Sequence, residues 1–410
     1  MGKELIENKV FWVGKIDDRK VPFHRLVLEN GTTYNSYLLD TEKPTIIDTV
    51  DMSFAGEFVK NLETIMDLNK LQYVVINHVE PDHAGALPAL MSKAKNATIV
   101  TTQKGKDLLI AMFKLEQKNF IVIKDGDTLD IGGKTLKFLE TPYLHTEETM
   151  ITYCIEDKIL FSCDIFSTHK ANYELFNDLA KEDITEDFKV YYSLIMHPHR
   201  SYVRDMLEKI SKLDINIIAP SHGYVLRKDV NKFIKLYDEM SVPKPNMLTK
   251  KALILFSSMT GNTSKVAQSL SQGLTDVGVE TNIINIKNAE VTSIITLVKE
   301  SDAILIGSST KYGDMIGTLE TVLKELIKLD LSNKVGIAFG SYGWSGEAIE
   351  IINDYLLQSN ITTIDKSYLI KTTGDETLSL PLRVKFSPEG REKDTCIKAG
   401  KVIGELLIKN

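Results

Sequence analysis

The sequence predicts a two-domain α/β chain, a mixed α/β sandwich followed by a doubly wound parallel sheet. Three observations carry this expectation. The first part is dense in short β-branched and aromatic runs that begin as hairpins and then alternate with helical patterns. A proline-bearing break, "MSVPKPNMLTKK", changes the texture from Met240 onward. Beyond it, strand, loop and helix repeat in a regular cycle.

The chain has 410 residues, more than one hydrophobic core usually organises, so domains are expected over residues 1–245 and 250–410. Hydrophobic residues make up 43% and charged residues 26%, which gives no case for long disordered tails. A formal net charge of −7 argues against a nucleic-acid surface, because phosphate binding needs clustered Lys and Arg. Cys154, Cys163 and Cys396 form no CxxC pair and suit a reducing cytoplasm. "MGKELIENKV" lacks an apolar signal core, and Ile6 breaks the myristoylation pattern. No apolar run approaches the roughly 18 residues of a membrane helix. A cytoplasmic chain without membrane or nucleic-acid partners is expected.

In the first domain the strand candidates are "VFWVGKI", "FHRLVL", "TYNSYLLD", "PTIID", "YVVIN", "TIVTT", "FIVI", "KTLKFLE", "MITYCI" and "KILFS", with helices near residues 54–68, 105–113 and 202–213. In the second, "KALILF" precedes a helix from Thr263, "VETNIINI" one near 291–299, and "DAILIG" one near 317–328. "KVGIAFG" precedes one near 347–358, and a terminal helix runs near 393–409.

One loop of the first domain is crowded with metal-ligand side chains. "NHVEPDHAG", residues 77–85, sets His78, Glu80, Asp82 and His83 within six positions at the carboxyl end of "YVVIN". His145 follows "KTLKFLETPYL", Asp164 follows "KILFSC" and His222 follows "INIIAPS", so every member falls just past a predicted strand. An extended loop would turn His78, Glu80 and Asp82 to one side and His83 to another, with Pro81 stiffening the turn. Such a loop can serve two metal ions. His24, isolated in "FHRLVL", is read as a packing residue or surface group and not as a ligand.

Three consecutive strand ends of the second domain carry Gly, Ser and an aromatic residue. In "SSMTGNTSKVAQSL", Ser258, Thr260 and Thr263 supply hydroxyls, Gly261 permits a tight turn, and the following helix offers free N–H groups to a phosphate. No Gly-Lys-Ser/Thr closes it, so it is not a Walker loop. With "GSSTKYGD" and "GSYGWSGEA", the candidate ligand-binding set is Ser258, Met259, Thr260, Gly261, Asn262, Thr263, Ser309, Thr310, Lys311, Tyr312, Gly313, Asp314, Ser341, Tyr342, Gly343, Trp344, Ser345 and Gly346. Tyr312, Tyr342 and Trp344 would wall a flat ring.

The His-x-Glu-x-Asp-His pattern with His145, Asp164 and His222 resembles the metallo-β-lactamase-like domain of flavodiiron proteins, an αββα sandwich. The three later loops resemble flavodoxin, whose ligand is FMN. The resemblance implies one iron on His78, Glu80 and His145, another on Asp82, His83 and His222, and Asp164 bridging them. Hydrolases of the superfamily typically have His where Glu80 stands, and harder oxygen donors suit iron. Also implied are reduction of dioxygen to water or nitric oxide to nitrous oxide, and a separate electron donor such as rubredoxin or a reduced deazaflavin. A head-to-tail homodimer or a dimer of dimers is the implied assembly. The alternative is a zinc hydrolase with a flavodoxin-like docking domain. Many members follow the equivalent of His145 with Trp-Pro-Asp, whereas "HTEETM" stands here. His169 in "FSTH" matches a recurrent family position and is expected to orient ligands or deliver protons. His197 and His199 in "MHPHR" are read as a surface loop in preference to a proton path.

Overall fold

The computed structural model describes residues 3–23, 26–28, 30–242 and 249–409; His24 and the linker prolines Pro243 and Pro245 lie outside them. The chain divides into two compact units, residues 1–242 and 243–410.

In the first unit, a seven-stranded sheet has the spatial order Glu4–Glu7, Val10–Trp12, Tyr37–Leu39, Thr45–Ile47, Tyr73–Val75, Thr98–Thr101 and Phe120–Val122. It is antiparallel as far as Thr45–Ile47 and parallel beyond. A five-stranded sheet follows the order Thr128–Asp130, Thr135–Glu140, Met150–Cys154, Ile159–Cys163 and Ile217–Pro220, with only the last pair parallel.

Side-chain alternation along these strands builds four layers. Leu39, Ile47, Val75 and Val100 face inward and meet Phe138, Met150, Phe161 and Ile217 of the other sheet. Their immediate neighbours Leu38, Ile46, Val74 and Ile99 face outward onto the helices Ala55–Ile65, Leu87–Lys93 and Gln103–Phe113. On the far side Leu139, Ile151, Leu160 and Ile218 pack under Thr185–Tyr191, Arg200–Ile210 and Val230–Ser241. Strands buried on both faces need apolar residues at consecutive positions, which is why these runs read as continuous. The result is an αββα sandwich. Val230–Ser241 was absent from the sequence expectation, although Val230, Phe233 and Tyr237 form its buried stripe.

The second unit is a parallel sheet in the order Glu280–Asn285, Lys251–Ser257, Ala303–Ser309 and Val335–Tyr342. Two short strands extend it beyond Val335–Tyr342: Thr362–Thr363 at one end and Leu382–Lys385 at the other. Ile254, Leu305 and Phe339 pack against Asn262–Asp276 and Arg391–Lys409. Leu253, Leu255, Ile304 and Ile306 pack against the three helices of the opposite face. This is the doubly wound sheet that the sequence predicts. No helix among the described residues is long and apolar enough to cross a membrane.

Candidate metal centre and ligand loops

The loop from Asn77 leaves the end of Tyr73–Val75 as expected, but only its first half is extended. Pro81–Ala84 forms one helical turn with Pro81 at its start and Glu80 in the capping position at φ −61° and ψ 150°. Proline's fixed φ favours that first turn position, so Asp82 and His83 present their side chains from a helical turn. That replaces the simple alternation expected of an extended loop. Gly85 closes it: a Cβ there would lie 2.1 Å from the Pro81 carbonyl oxygen and 2.4 Å from the Met52 nitrogen.

All seven candidate ligands converge. His78, Glu80 and His145 offer ligand atoms within 4.8 Å of one another, and so do Asp82, His83 and His222. The Glu80 carboxylate lies 3.5 Å from His78 Nε2 and 3.6 Å from His145 Nε2. Asp82 Oδ2 lies 3.3 Å from His222 Nε2 and 3.6 Å from His83 Nε2. Asp164 stands between the trios. Its Oδ2 is 3.1 Å from His145 Nε2, and its Oδ1 is 3.4 Å from both His83 Nε2 and His222 Nε2.

The imidazoles are oriented from behind. His78 Nδ1 lies 2.7 Å from Glu148 Oε1, and His222 Nδ1 lies 2.7 Å from the Thr33 carbonyl oxygen. Each acceptor places the proton on Nδ1 and leaves the Nε2 lone pair turned inward. His78 Nε2, His83 Nε2 and Asp82 Oδ2 are buried and make no hydrogen bond among the described residues. Burial by itself would raise the Asp82 carboxyl, yet His83 and His222 hold it down to about 2. Burial would likewise lower His222, while Asp164 and Asp82 lift it to about 10. The neighbouring carboxylates thus favour positive charge at His78 and His222. The donor set therefore fits bound positive charge, and imidazole with carboxylate oxygen suits iron.

A cavity of about 630 Å³ opens beside Glu80 and Asp82, walled by Val79, Pro81, Leu108 and Met112 and by Thr146 to Glu148. Leu108 and Met112 remain substantially exposed at its edge.

In the second unit the three predicted loops meet at the strand ends. Gly261, at φ +86°, precedes Asn262–Asp276, and a Cβ on it would meet nothing within 4 Å. Open space thus faces the N–H groups of the first helical turn, the setting a phosphate requires. Tyr312 is 94% exposed and Trp344 93%, both unusual for large aromatics unless a planar partner covers them. Thr263 departs from the open phosphate donor expected: its hydroxyl is buried, 2.9 Å from Ser309 Oγ and 2.7 Å from Ser341 Oγ, and ties the loops together. These features fit FMN.

Comparisons with known proteins agree with both halves. Residues 32–223 match the ODP family beta lactamase domain and residues 254–400 match flavodoxin. The anaerobic nitric oxide reductase flavorubredoxin of Pectobacterium atrosepticum is 35% identical over 406 residues, covering 97% of this chain and 76% of that protein. The flavodiiron protein from Giardia intestinalis is 31% identical, with a TM-score of 0.58, over 100% of this chain and 97% of that one. The chain belongs to the flavodiiron protein family. Rubredoxin oxygen:oxidoreductase of Desulfovibrio gigas, 28% identical with a TM-score of 0.58, covers 99% of this chain and 98% of its own. FMN and a non-haem diiron pair are the cofactors of this flavodiiron protein's two folds.

Several site residues escaped the sequence reading. Glu148 sits in the divergent "HTEETM" stretch and binds His78 and the Val79 N–H. The Tyr191 hydroxyl donates to Asp164 Oδ1 at 2.9 Å. Asp48 accepts from Asn77 at the root of the loop. The strand Leu382–Lys385 adds Arg383, whose guanidinium binds the Ser345 carbonyl oxygen and Glu350, and the exposed Phe386 follows it. None carries a local signal, because each meets a partner far away in the chain.

The His169 ring lies 5.0 Å from that of His222, and its Nδ1 lies 3.1 Å from Thr32 Oγ1. The surface-loop expectation for "MHPHR" is overturned. His197–His199 is a 3-10 turn, His199 is fully buried, and its ring lies 6.5 Å from that of His145. His197 is half-buried and contacts Arg200, which is itself buried. The polar tetrad hid an amphipathic helix start whose inner face meets the site. Cys154, Cys163 and Cys396 are buried free thiols.

Proposed function

We propose that this flavodiiron protein is an oxidoreductase that reduces dioxygen to water, nitric oxide to nitrous oxide, or both. In this reading His78, Glu80 and His145 hold one iron, Asp82, His83 and His222 the other, and Asp164 bridges. The printed names of two relatives support the two gases, one being a nitric oxide reductase and the other a rubredoxin oxygen:oxidoreductase. The observation that carries the reading is Asp164, which turns a different carboxylate oxygen to each trio. A carboxylate serving a single ion has no need of that arrangement.

When bound, the irons supply Lewis acidity and electrons, and FMN stores the electron pair that replenishes them. The chain's own groups hold the rest in place. Glu148 and the Thr33 carbonyl fix ring orientation, and Val79, Leu108 and Met112 give the cavity beside Glu80 an apolar wall. Small apolar gases partition readily into such a space. In the second domain the 258–263, 309–314 and 341–346 loops hold the flavin. The electron donor is a separate carrier such as rubredoxin or a reduced deazaflavin, and the working assembly is a head-to-tail homodimer or a dimer of dimers.

The test is metal and flavin analysis of the purified protein, followed by anaerobic reduction and separate additions of dioxygen and nitric oxide. Two irons, one flavin and rapid reoxidation by either gas are expected. A colourless zinc protein that consumes neither gas would falsify the assignment in favour of a hydrolase.

A further inference from the structure

The contacts behind the seven ligands are lopsided. Each trio offers two imidazoles and one carboxylate, so the nearest donors are balanced. Behind them, His78 Nδ1 meets a carboxylate, Glu148 Oε1, at 2.7 Å. In the other trio His222 Nδ1 meets a neutral carbonyl, that of Thr33, and His83 Nδ1 lies 3.9 Å from the Cys163 thiol; the Asp48 carboxylate, within 4.8 Å of the His83 and Cys163 ligand atoms, has both oxygens taken up by Asn77. A carboxylate acceptor pushes more electron density onto an imidazole than a carbonyl or thiol does, and makes it the stronger ligand.

Asp164 tilts the same way. Its Oδ1, the oxygen turned to His83 and His222, accepts the Tyr191 hydroxyl at 2.9 Å, while Oδ2 faces His145 and His78. A donated hydrogen bond draws density from that oxygen and weakens its gift to a metal on the same side. Tyr191 is 3% exposed, and it ends Thr185–Tyr191 where the backbone passes into a π-helical segment, Tyr192–Met196. Such irregular turns often occur where a helix must aim a side chain into a site.

We infer that Glu148 and Tyr191 are positioning residues that make the two half-sites unequal. The His78, Glu80 and His145 half fills first and holds its ion more tightly, and the Asp82, His83 and His222 half holds the looser, more Lewis-acidic ion. The inference rests on the two-iron reading and adds an order to it.

Anaerobic titration of metal-free protein with ⁵⁷Fe(II), followed by Mössbauer spectroscopy at one and two equivalents, tests it. In the wild type the first equivalent should give chiefly one quadrupole doublet and the second equivalent another, with an affinity ratio on the order of tenfold or more. Glu148→Gln should weaken the first site by about tenfold and narrow the ratio. Tyr191→Phe, which keeps the ring, should strengthen the second site several-fold; a merely structural tyrosine would weaken both. Equal sites in the wild type, or a ratio unchanged in both variants, overturn the inference while leaving the two-iron reading intact. A stoichiometry other than two per chain overturns both.

Discussion

Both carboxylate oxygens of Asp48 accept hydrogen bonds from Asn77, the backbone N–H at 2.7 Å and the side-chain Nδ2 at 3.1 Å. Asp48 is 2% exposed and sits in left-handed backbone at φ +52°, so it is committed to this contact. Asn77 also accepts from Thr152 Oγ1 and from the Met150 N–H, which stitches the root of the ligand loop to the opposite sheet. Asp48→Ala should cost about 3 kcal/mol, because buried donors lose a charged acceptor. Urea denaturation should show a lowered midpoint, and iron content should fall with it.

Asp164→Asn keeps the shape of the bridge and removes its charge. Activity should fall by more than the roughly 10–100-fold typical of losing an outer partner of a metal site. Bound FMN should be unaffected and still reducible. Oxygen-electrode rates beside flavin and iron analysis will show whether the loss is confined to the metal centre.

Gly85→Ala forces a methyl group toward the Pro81 carbonyl and the Met52 backbone. Neither neighbour can rotate away, so overpacking should cost about 1–3 kcal/mol or more. The thermal midpoint should drop, and the turn bearing Asp82 and His83 should lose metal before the protein unfolds.

For the flavin, Trp344→Ala removes one exposed ring and should raise the FMN Kd roughly 3- to 10-fold, the equivalent of one aromatic stack. Arg383→Gln frees the 343–346 loop from its contact with the Ser345 carbonyl and from Glu350. Loss of that preorganisation should weaken FMN by about tenfold. Flavin fluorescence quenching on titration into apoprotein measures both. An Arg383→Gln Kd equal to wild type would remove the clamp from the account.

Asp375 supplies a pH dependence of stability. Burial would raise its carboxyl, but Lys398 at 2.5 Å and the Thr377 hydroxyl and N–H hold it down to about 2 from 3.8. A depressed folded value means the stability it contributes is present above about pH 4 and lost as pH falls toward 2. Because solvent screens the pair, the contribution should stay under about 1 kcal/mol. Asp375→Asn should flatten the denaturation midpoint between pH 5 and pH 3 relative to wild type.

The legible part of the site lay in strand ends. His78, His145, Asp164 and His222 each follow an apolar run, and strands of one sheet that run in the same direction, paired directly or not, deliver their next residues to one rim whatever lies between in sequence. Gly261, Tyr312 and Trp344 were legible for the same reason. Residues that act through another residue were not. Glu148 and Tyr191 reach the ligands from a loop and a helix end, Asp48 holds Asn77 at the root of the ligand loop from a strand end, and nothing near them in sequence says whom they touch. His199 was misread because a polar tetrad resembles a surface loop until packing shows which face turns inward.

The sequence by itself determined the two-domain α/β order, the doubly wound sheet, the crowded 78–83 loop and the three glycine- and serine-bearing turns. Each is a local pattern of period, turn chemistry or ligand density that survives without knowing any neighbour. Only the tertiary structure decided that Asp164 turns one oxygen to each trio, that Asp82 and His83 project from a helical turn, and that Arg383 grips the Trp344 loop. Those facts depend on distances between residues far apart in the chain, and hydrogen bonds hold only at about 3 Å, a length set by folding and not by spacing.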